Sequence, residues 1–124
     1  MYSFMQVVGR AIIGTVDVNE VGDKVFVNLS VAHTDTWKDK ETGEKKEKTS
    51  WFRVNVTNQN VTSYAKNLQK GDEILIRNGL LESREYEDKD GNKRTSTEIT
   101  IAGPGAGIDM ILSKSDREIL KASK

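Results

Sequence analysis

The chain has no cysteine, a single histidine and a single proline in 124 residues. Without cysteine there are no disulfides or thiolate metal sites, and His33 alone cannot build a zinc centre without unusual help from carboxylates. No apolar run approaches the roughly 18 residues of a membrane span. The start, MYSFMQVVGRAIIG, has neither a basic leader before a long apolar stretch nor a small-residue cleavage site. Export is therefore not expected, and a cytoplasmic location is. Net charge is also missing: 19 basic residues balance 19 acidic ones. That argues against a nucleic-acid binder whose affinity rests on bulk positive charge.

What is present is a polar globular composition, 35% hydrophobic and 31% charged, of one domain's length. Its core is thin for a monomer, so self-association is one expected source of extra burial. Charge is distributed unevenly. Lys38 to Arg53 holds six basic and four acidic residues, whereas Glu82 to Glu98 holds four basic and six acidic ones.

Five stretches read as strands. Residues 4–18 are apolar and interrupted by Gly9 and Gly14, the pattern of a strand with bends or bulges. In DKVFVNLSVAH, Val25, Val27, Leu29 and Val31 alternate with Phe26, Asn28, Ser30 and Ala32, as in a half-buried strand. The third strand, near 48–57, sets Phe52, Val54 and Val56 on one face and Trp51, Arg53, Asn55 and Thr57 on the other. Val61, Tyr64, Ala65 and Leu68 then follow helical spacing, with Asn60 as N-cap and Gly71 just past the end. A fourth strand from Glu73 and a fifth, RTSTEITIA, flank a turn at Asp90-Gly91. GPGAG at 103–107 ends the sheet, and 108–124 is expected as a short tail that holds a brief helix or lies loose.

Three strands, a short helix and two more strands make an all-β chain. The order matches the OB-fold, a five-stranded Greek-key barrel with its helix between strands 3 and 4. An SH3-like barrel has no helix there, and a pleckstrin-type barrel carries its helix at the C-terminus. The barrel is expected over 1–103 and the tail over 104–124.

Catalytic candidates are few. His33 lies in phase with the Val25–Val31 face and reads as a strand-end residue, and the carboxylates cluster in charged hairpins where they favour turns and solubility. DKDG resembles the start of a calcium loop, but Ile99 falls where the closing glutamate belongs. A binding module is expected rather than an enzyme, with no metal or cofactor.

The aromatic residues point to the ligand. Burying Trp51 would drag Arg53, Asn55 and Thr57 inward; exposing it leaves a large ring in need of a partner, either a ligand or a packing loop or subunit. Trp37 and Tyr86 lie at the starts of the two charged hairpins. Three rings beside basic side chains suit single-stranded nucleic acid, whose unpaired bases expose a face for stacking. Candidate phosphate contacts are Lys38, Lys45, Lys46, Lys48, Arg53, Arg77, Arg84 and Arg94, with Arg10 less well placed; the bland reading of each is a solvated fringe.

VAHTDTWKDKETGEKKEKTSWFRVNV, together with YAKNLQKGDEILIRNGLLESREYEDKDGNKRTSTEITI, resembles the bacterial-type single-stranded DNA-binding protein family over about residues 4–102. The combination W-x-D, T-G-E, tryptophan before x-R-V, L-x-K-G and D-x-x-G-x-x-R-x-x-T is far more specific than any one part. The resemblance implies a non-enzymatic OB-fold that assembles as a homotetramer, a dimer of dimers, wrapped by single-stranded DNA in replication, recombination or repair. Trp37, Trp51 and Tyr86 occupy stacking positions of the family, and Arg10 falls where basic residues turn toward DNA. A fourth stacking position, a phenylalanine in the family, is Thr57, and a histidine near the family's subunit interface is Phe52. The sequence ends in DREILKASK, so recruitment of partners through an acidic tip is not expected. The competing reading is an OB-fold scaffold for protein interactions with weak or RNA-preferring binding.

Overall fold

The computed structural model describes residues 5–123. Six strands and two helices follow in the order β1 (Gln6–Val21), β2 (Lys24–Lys38), β3 (Lys45–Val56), α1 (Gln59–Ala65), β4 (Glu73–Glu87), β5 (Lys93–Ile101), β6 (Gly107–Leu112) and α2 (Lys114–Ala122). Neighbours run β1-β2-β3-β5-β4, and β4 pairs back to β1, closing a ring of five strands. The β3–β5 pairing is parallel, Arg53 to Val56 beside Glu98 to Ile101, and the other pairings are antiparallel. With its helix between β3 and β4, this is the expected OB-fold.

Alternation along the strands builds the core. Val27, Leu29 and Val31 of β2 meet Val56, Val54 and Phe52 of β3, and all but Phe52 are buried. Ile13, Ile74, Ile76, Ile99 and Ile101 complete the centre. Each such side chain contributes about 1.5–3 kcal/mol on burial, so β-branched alternation largely determines which face of every strand turns inward. The β1 strand serves two sheet regions by shifting register between Val7 and Gly9 and between Ile13 and Thr15, beside the two glycines that interrupt it.

Two local expectations are corrected. The N-cap of α1 is Asn58 rather than Asn60: the Asn58 side chain accepts from the Asn60 backbone N–H at 3.0 Å. A cap must precede the first turn to reach its free N–H groups, and Asn60 is already inside that turn. The stretch after Gly103, expected as a tail, contains β6 before its helix. Met110, Asp109 and Ile108 pair with Ile74, Leu75 and Ile76, and the buried Ile108 anchors the strand to the core. Six residues with Ile108 as the one buried apolar side chain carry too weak an alternation to announce a strand. The strands β2 and β3 continue beyond the barrel as a two-stranded arm, in unbroken register from Val27–Val56 to Lys38–Lys45.

Candidate nucleic-acid interface

Cross-strand register assembles the site. Ala32 faces Trp51, Ser30 faces Arg53, Arg53 lies beside Glu98, Arg84 faces Ser96 and Tyr86 faces Arg94. Partners in register project to the same side, so Trp51, Arg53, Glu98, Arg84 and Tyr86 share one outer barrel face. Trp51 is 63% exposed and Tyr86 48%. Between them lie two open clefts. One, of about 440 Å³, is lined by Trp51, Arg53, Ser96 and Thr97; the other, of about 340 Å³, by Arg53, Arg84, Tyr86, Ser96 and Glu98.

The Trp51 ring is seated by a glycine. Gly14 is the unpaired residue of the second β1 bulge, and a Cβ built there would stand 2.5 Å from Trp51 Cζ3. With no side chain at this point, the indole lies down against the strand while most of it stays open to solvent.

Trp37, 49% exposed, is placed differently. It pairs with Lys46, and in the unbroken β2–β3 register it has the parity of Val31 and His33, whereas Trp51 pairs with Ala32. The two tryptophans therefore project from opposite faces of the arm. Lys46 and Lys48 go with Trp37; Lys38 and Lys45 pair with each other on the Trp51 side near the arm's end. The structure thus brings Trp51 and Tyr86 onto one surface and sets Trp37 apart from it.

The basic candidates divide by their partners. Arg10 bonds Glu73 at 2.8 Å, Arg77 bonds Asp109, Arg94 bonds Asp88 at 2.9 Å, and Lys46 lies 3.9 Å from Glu44. Asp88 also accepts from the backbone N–H groups of Asp90 and Asn92, so Arg94 helps lock the β4–β5 turn. Its bond to Asp88, with those backbone bonds, holds the Asp88 carboxyl below its ordinary range. Arg77 sits at the β4–β6 seam, away from the Trp51–Tyr86 face. Among the described residues, Lys38, Lys45, Lys48 and Arg84 form no ion pair within 4 Å.

Two side chains absent from the candidate contacts, Asn55 and Glu98, sit in the middle of the face. Glu98 is 5% exposed and accepts from Asn55 Nδ2 at 2.6 Å. Asn55 Oδ1 accepts from Arg53 Nε at 3.1 Å, and Arg53 Nε lies 3.7 Å from Glu98. The Asn55 bond is the main reason the Glu98 carboxyl is held below its ordinary range, with Ser96, Arg53 and Arg84 adding to it against the cost of burial. Pairing Glu98 with Arg53 required the β3–β5 register, which local sequence does not display. Thr57 lies just past β3, exposed, its N–H bonded to the Ile101 carbonyl. It adds no aromatic surface. Phe52 turns away from Trp51 and lines an apolar cleft of about 330 Å³ with Val8, Val31, His33 and Leu81.

Among the described residues no group of three or more metal-ligating side chains is gathered, and no helix is long and apolar enough to cross a membrane.

A small OB-fold barrel with exposed rings and arginines on one face defines the architectural class. The single-strand binding protein family matches residues 5–105, and the chain belongs to that family. It is 51% identical over 73 residues to single-stranded DNA-binding protein 1 of Xylella fastidiosa, covering 59% of this chain and 53% of that protein. It is 34% identical over 86 residues to the single-stranded DNA-binding protein of Rhizobium meliloti, covering 69% of this chain and 49% of that protein. The chain thus spans about half the length of these curated relatives. Among solved structures, the Plasmodium falciparum SSB complex with ssDNA superposes with a TM-score of 0.79 at 24% identity, over 90% of this chain and 97% of that one. That likeness concerns the fold.

Proposed function

We propose that this protein binds single-stranded DNA without sequence preference and keeps it from re-pairing during replication, recombination or repair. The observation that carries this reading is the exposed pair Trp51 and Tyr86 on one face, with Arg53 and Arg84 between them. Bases stack on the rings and phosphates pass over the guanidinium groups, an arrangement duplex DNA cannot use because its bases are hidden. Trp37, Lys46 and Lys48, on the arm's other face, receive a more distant part of the same strand. Nothing in this scheme requires catalysis or a cofactor.

We further propose assembly as a tetramer, a dimer of dimers. In β1, residues Gln6–Ala11 pair with β4 only, which leaves a strand edge open on the β2 side. An open edge bearing the exposed Val8 can pair with a second copy. Membership of the family supports both readings.

The test is a titration with oligo-dT followed by tryptophan fluorescence, with single-stranded RNA and duplex DNA as competitors and light scattering for mass. Tight binding to single strands alone, with quenching, is expected. Micromolar or weaker binding to all three nucleic acids would replace this reading with the protein-interaction scaffold, and a one-chain mass at micromolar concentration would rule out the tetramer.

A further inference from the structure

A buried carboxylate in the middle of an anion-binding face is costly twice: it loses hydration, and it repels the ligand. Glu98 occupies that position, 5% exposed, on β5 between β3 and β4. Its surroundings form a chain of contacts. Arg53 Nε donates to Asn55 Oδ1, and Asn55 Nδ2 donates to Glu98 Oε1. Arg84 lines the same cleft as Glu98.

The positions of the two arginines are what make this useful. Arg53 follows Trp51 by two residues on β3, and Arg84 precedes Tyr86 by two on β4, so each is one step inward from a ring on the shared face. Long guanidinium side chains lose rotamer freedom when they bind phosphate. An anion in contact with such a side chain, as Glu98 is with Arg53, pre-pays part of that loss. Asn55 and Glu98 engage Arg53 through Nε, the inner nitrogen of its fork, while the side chain stays half exposed. Among the described residues its terminal nitrogens make no hydrogen bond or ion pair, which leaves them for a bidentate bond to phosphate. The acid across the sheet, Glu82, takes a separate bond from Thr100 Oγ1 at 3.3 Å.

We propose that Glu98 is a positioning residue for the nucleic-acid face, a buried anion that, through Asn55, holds Arg53 aimed at the phosphates running between the Trp51 and Tyr86 platforms, in the cleft that Arg84 also lines. This rests on the single-strand-binding reading above and adds to it a direction that bulk charge does not give. Removing a negative charge from the face would, by Coulomb's law alone, tighten DNA binding; the positioning role requires that it weaken.

The experiment measures oligo-dT affinity against salt for the parent, Glu98→Gln, Asn55→Ala and both changes in an Arg53→Ala/Arg84→Ala background. Glu98→Gln is expected to weaken binding about tenfold, the size of one charge-assisted hydrogen bond. The slope of log affinity on log salt should fall by about 0.7, the loss of one phosphate contact on a single strand. Asn55→Ala leaves net charge unchanged and should weaken binding in the same direction, which keeps the test decisive if Glu98→Gln folds poorly. In the arginine-free background neither change should weaken binding further. Parent-like or tighter binding by Glu98→Gln, or an equal loss with and without the arginines, would overturn the positioning role while leaving DNA binding intact. Failure of the parent to bind would instead overturn the reading beneath it.

Discussion

The indole of Trp51 rests on the backbone of Gly14, so closely that a Cβ at Gly14 would stand 2.5 Å from Cζ3 and 2.9 Å from Ser30 Oγ. The bulge in β1 and the platform on β3 are thus a single device. Gly14→Val must lift the ring from its seat, since the neighbouring Ser30 and the strand backbone leave no room below. The expected outcome is a weaker oligo-dT complex, by up to the roughly 1–3 kcal/mol that one stacking platform supplies. Steady-state fluorescence of a Trp37→Phe background reports the altered Trp51 environment directly. Unchanged emission and affinity would refute the arrangement.

Trp51→Ala, Tyr86→Ala and Trp37→Ala should each cost about 1–3 kcal/mol of binding to a long oligonucleotide. Short oligonucleotides separate them. Because Trp51 and Tyr86 share a face while Trp37 projects from the opposite side of the arm, the Trp37 effect should fade first as the strand is shortened. Titrations with a length series of oligo-dT test the order.

His33 bonds two acceptors at once, the Arg10 carbonyl through Nδ1 at 3.1 Å and the Asp35 carboxylate through Nε2 at 3.0 Å. Only the doubly protonated ring makes both bonds. The Arg10 carbonyl bond first, then Asp35, raises the His33 pKa above its ordinary value. The folded-state value exceeds the unfolded one of about 6.5, so the stabilisation is fully present below that pH and is lost as pH rises through the raised value. Urea midpoints should therefore fall across this interval in the parent and change less in His33→Ala. A parallel pH profile in the variant would contradict the proposed linkage. Solvent exposure of the pair keeps the effect small.

Gly79 of β4 faces the core: a Cβ would stand 2.5 Å from Ile99 Cγ2, with Ile76 and Ile101 also in contact. Gly79→Ala is expected to lower stability by about 1–3 kcal/mol, the usual cost of overpacking a filled core. Chemical denaturation checks it, and a neutral or stabilising result would mean that the β4–β5 contact yields more readily than close packing allows.

The strands of the barrel were legible because their side chains alternate. Val27, Leu29 and Val31 against Asn28 and Ser30 leave one way to bury β2, and Phe52, Val54 and Val56 do the same for β3. The alternation that turns Val54 inward turns Trp51 and Arg53 outward, so the most exposed ring of the site could be read from its own strand. The cap of α1 and strand β6 were not so plain. Asn58 and Asn60 are the same residue type two positions apart, and β6 is held to the sheet chiefly by backbone pairing with β4, which carries little side-chain signal.

By itself the sequence determined what β2 and β3 hide and show, because that depends on a period of two within one segment. It thereby marked Trp51 and Arg53 as outward and the valines as core. Only the tertiary structure decided which outward residues meet. The parallel pairing of β3 with β5 set Arg53 beside Glu98, the β4–β5 register brought Arg84 and Tyr86 onto the same face, and the unbroken arm sent Trp37 to the other side. Those relations join residues as much as 45 positions apart, such as Arg53 and Glu98. They are fixed by the closing of the barrel, where register is chosen by burying every inward side chain at once.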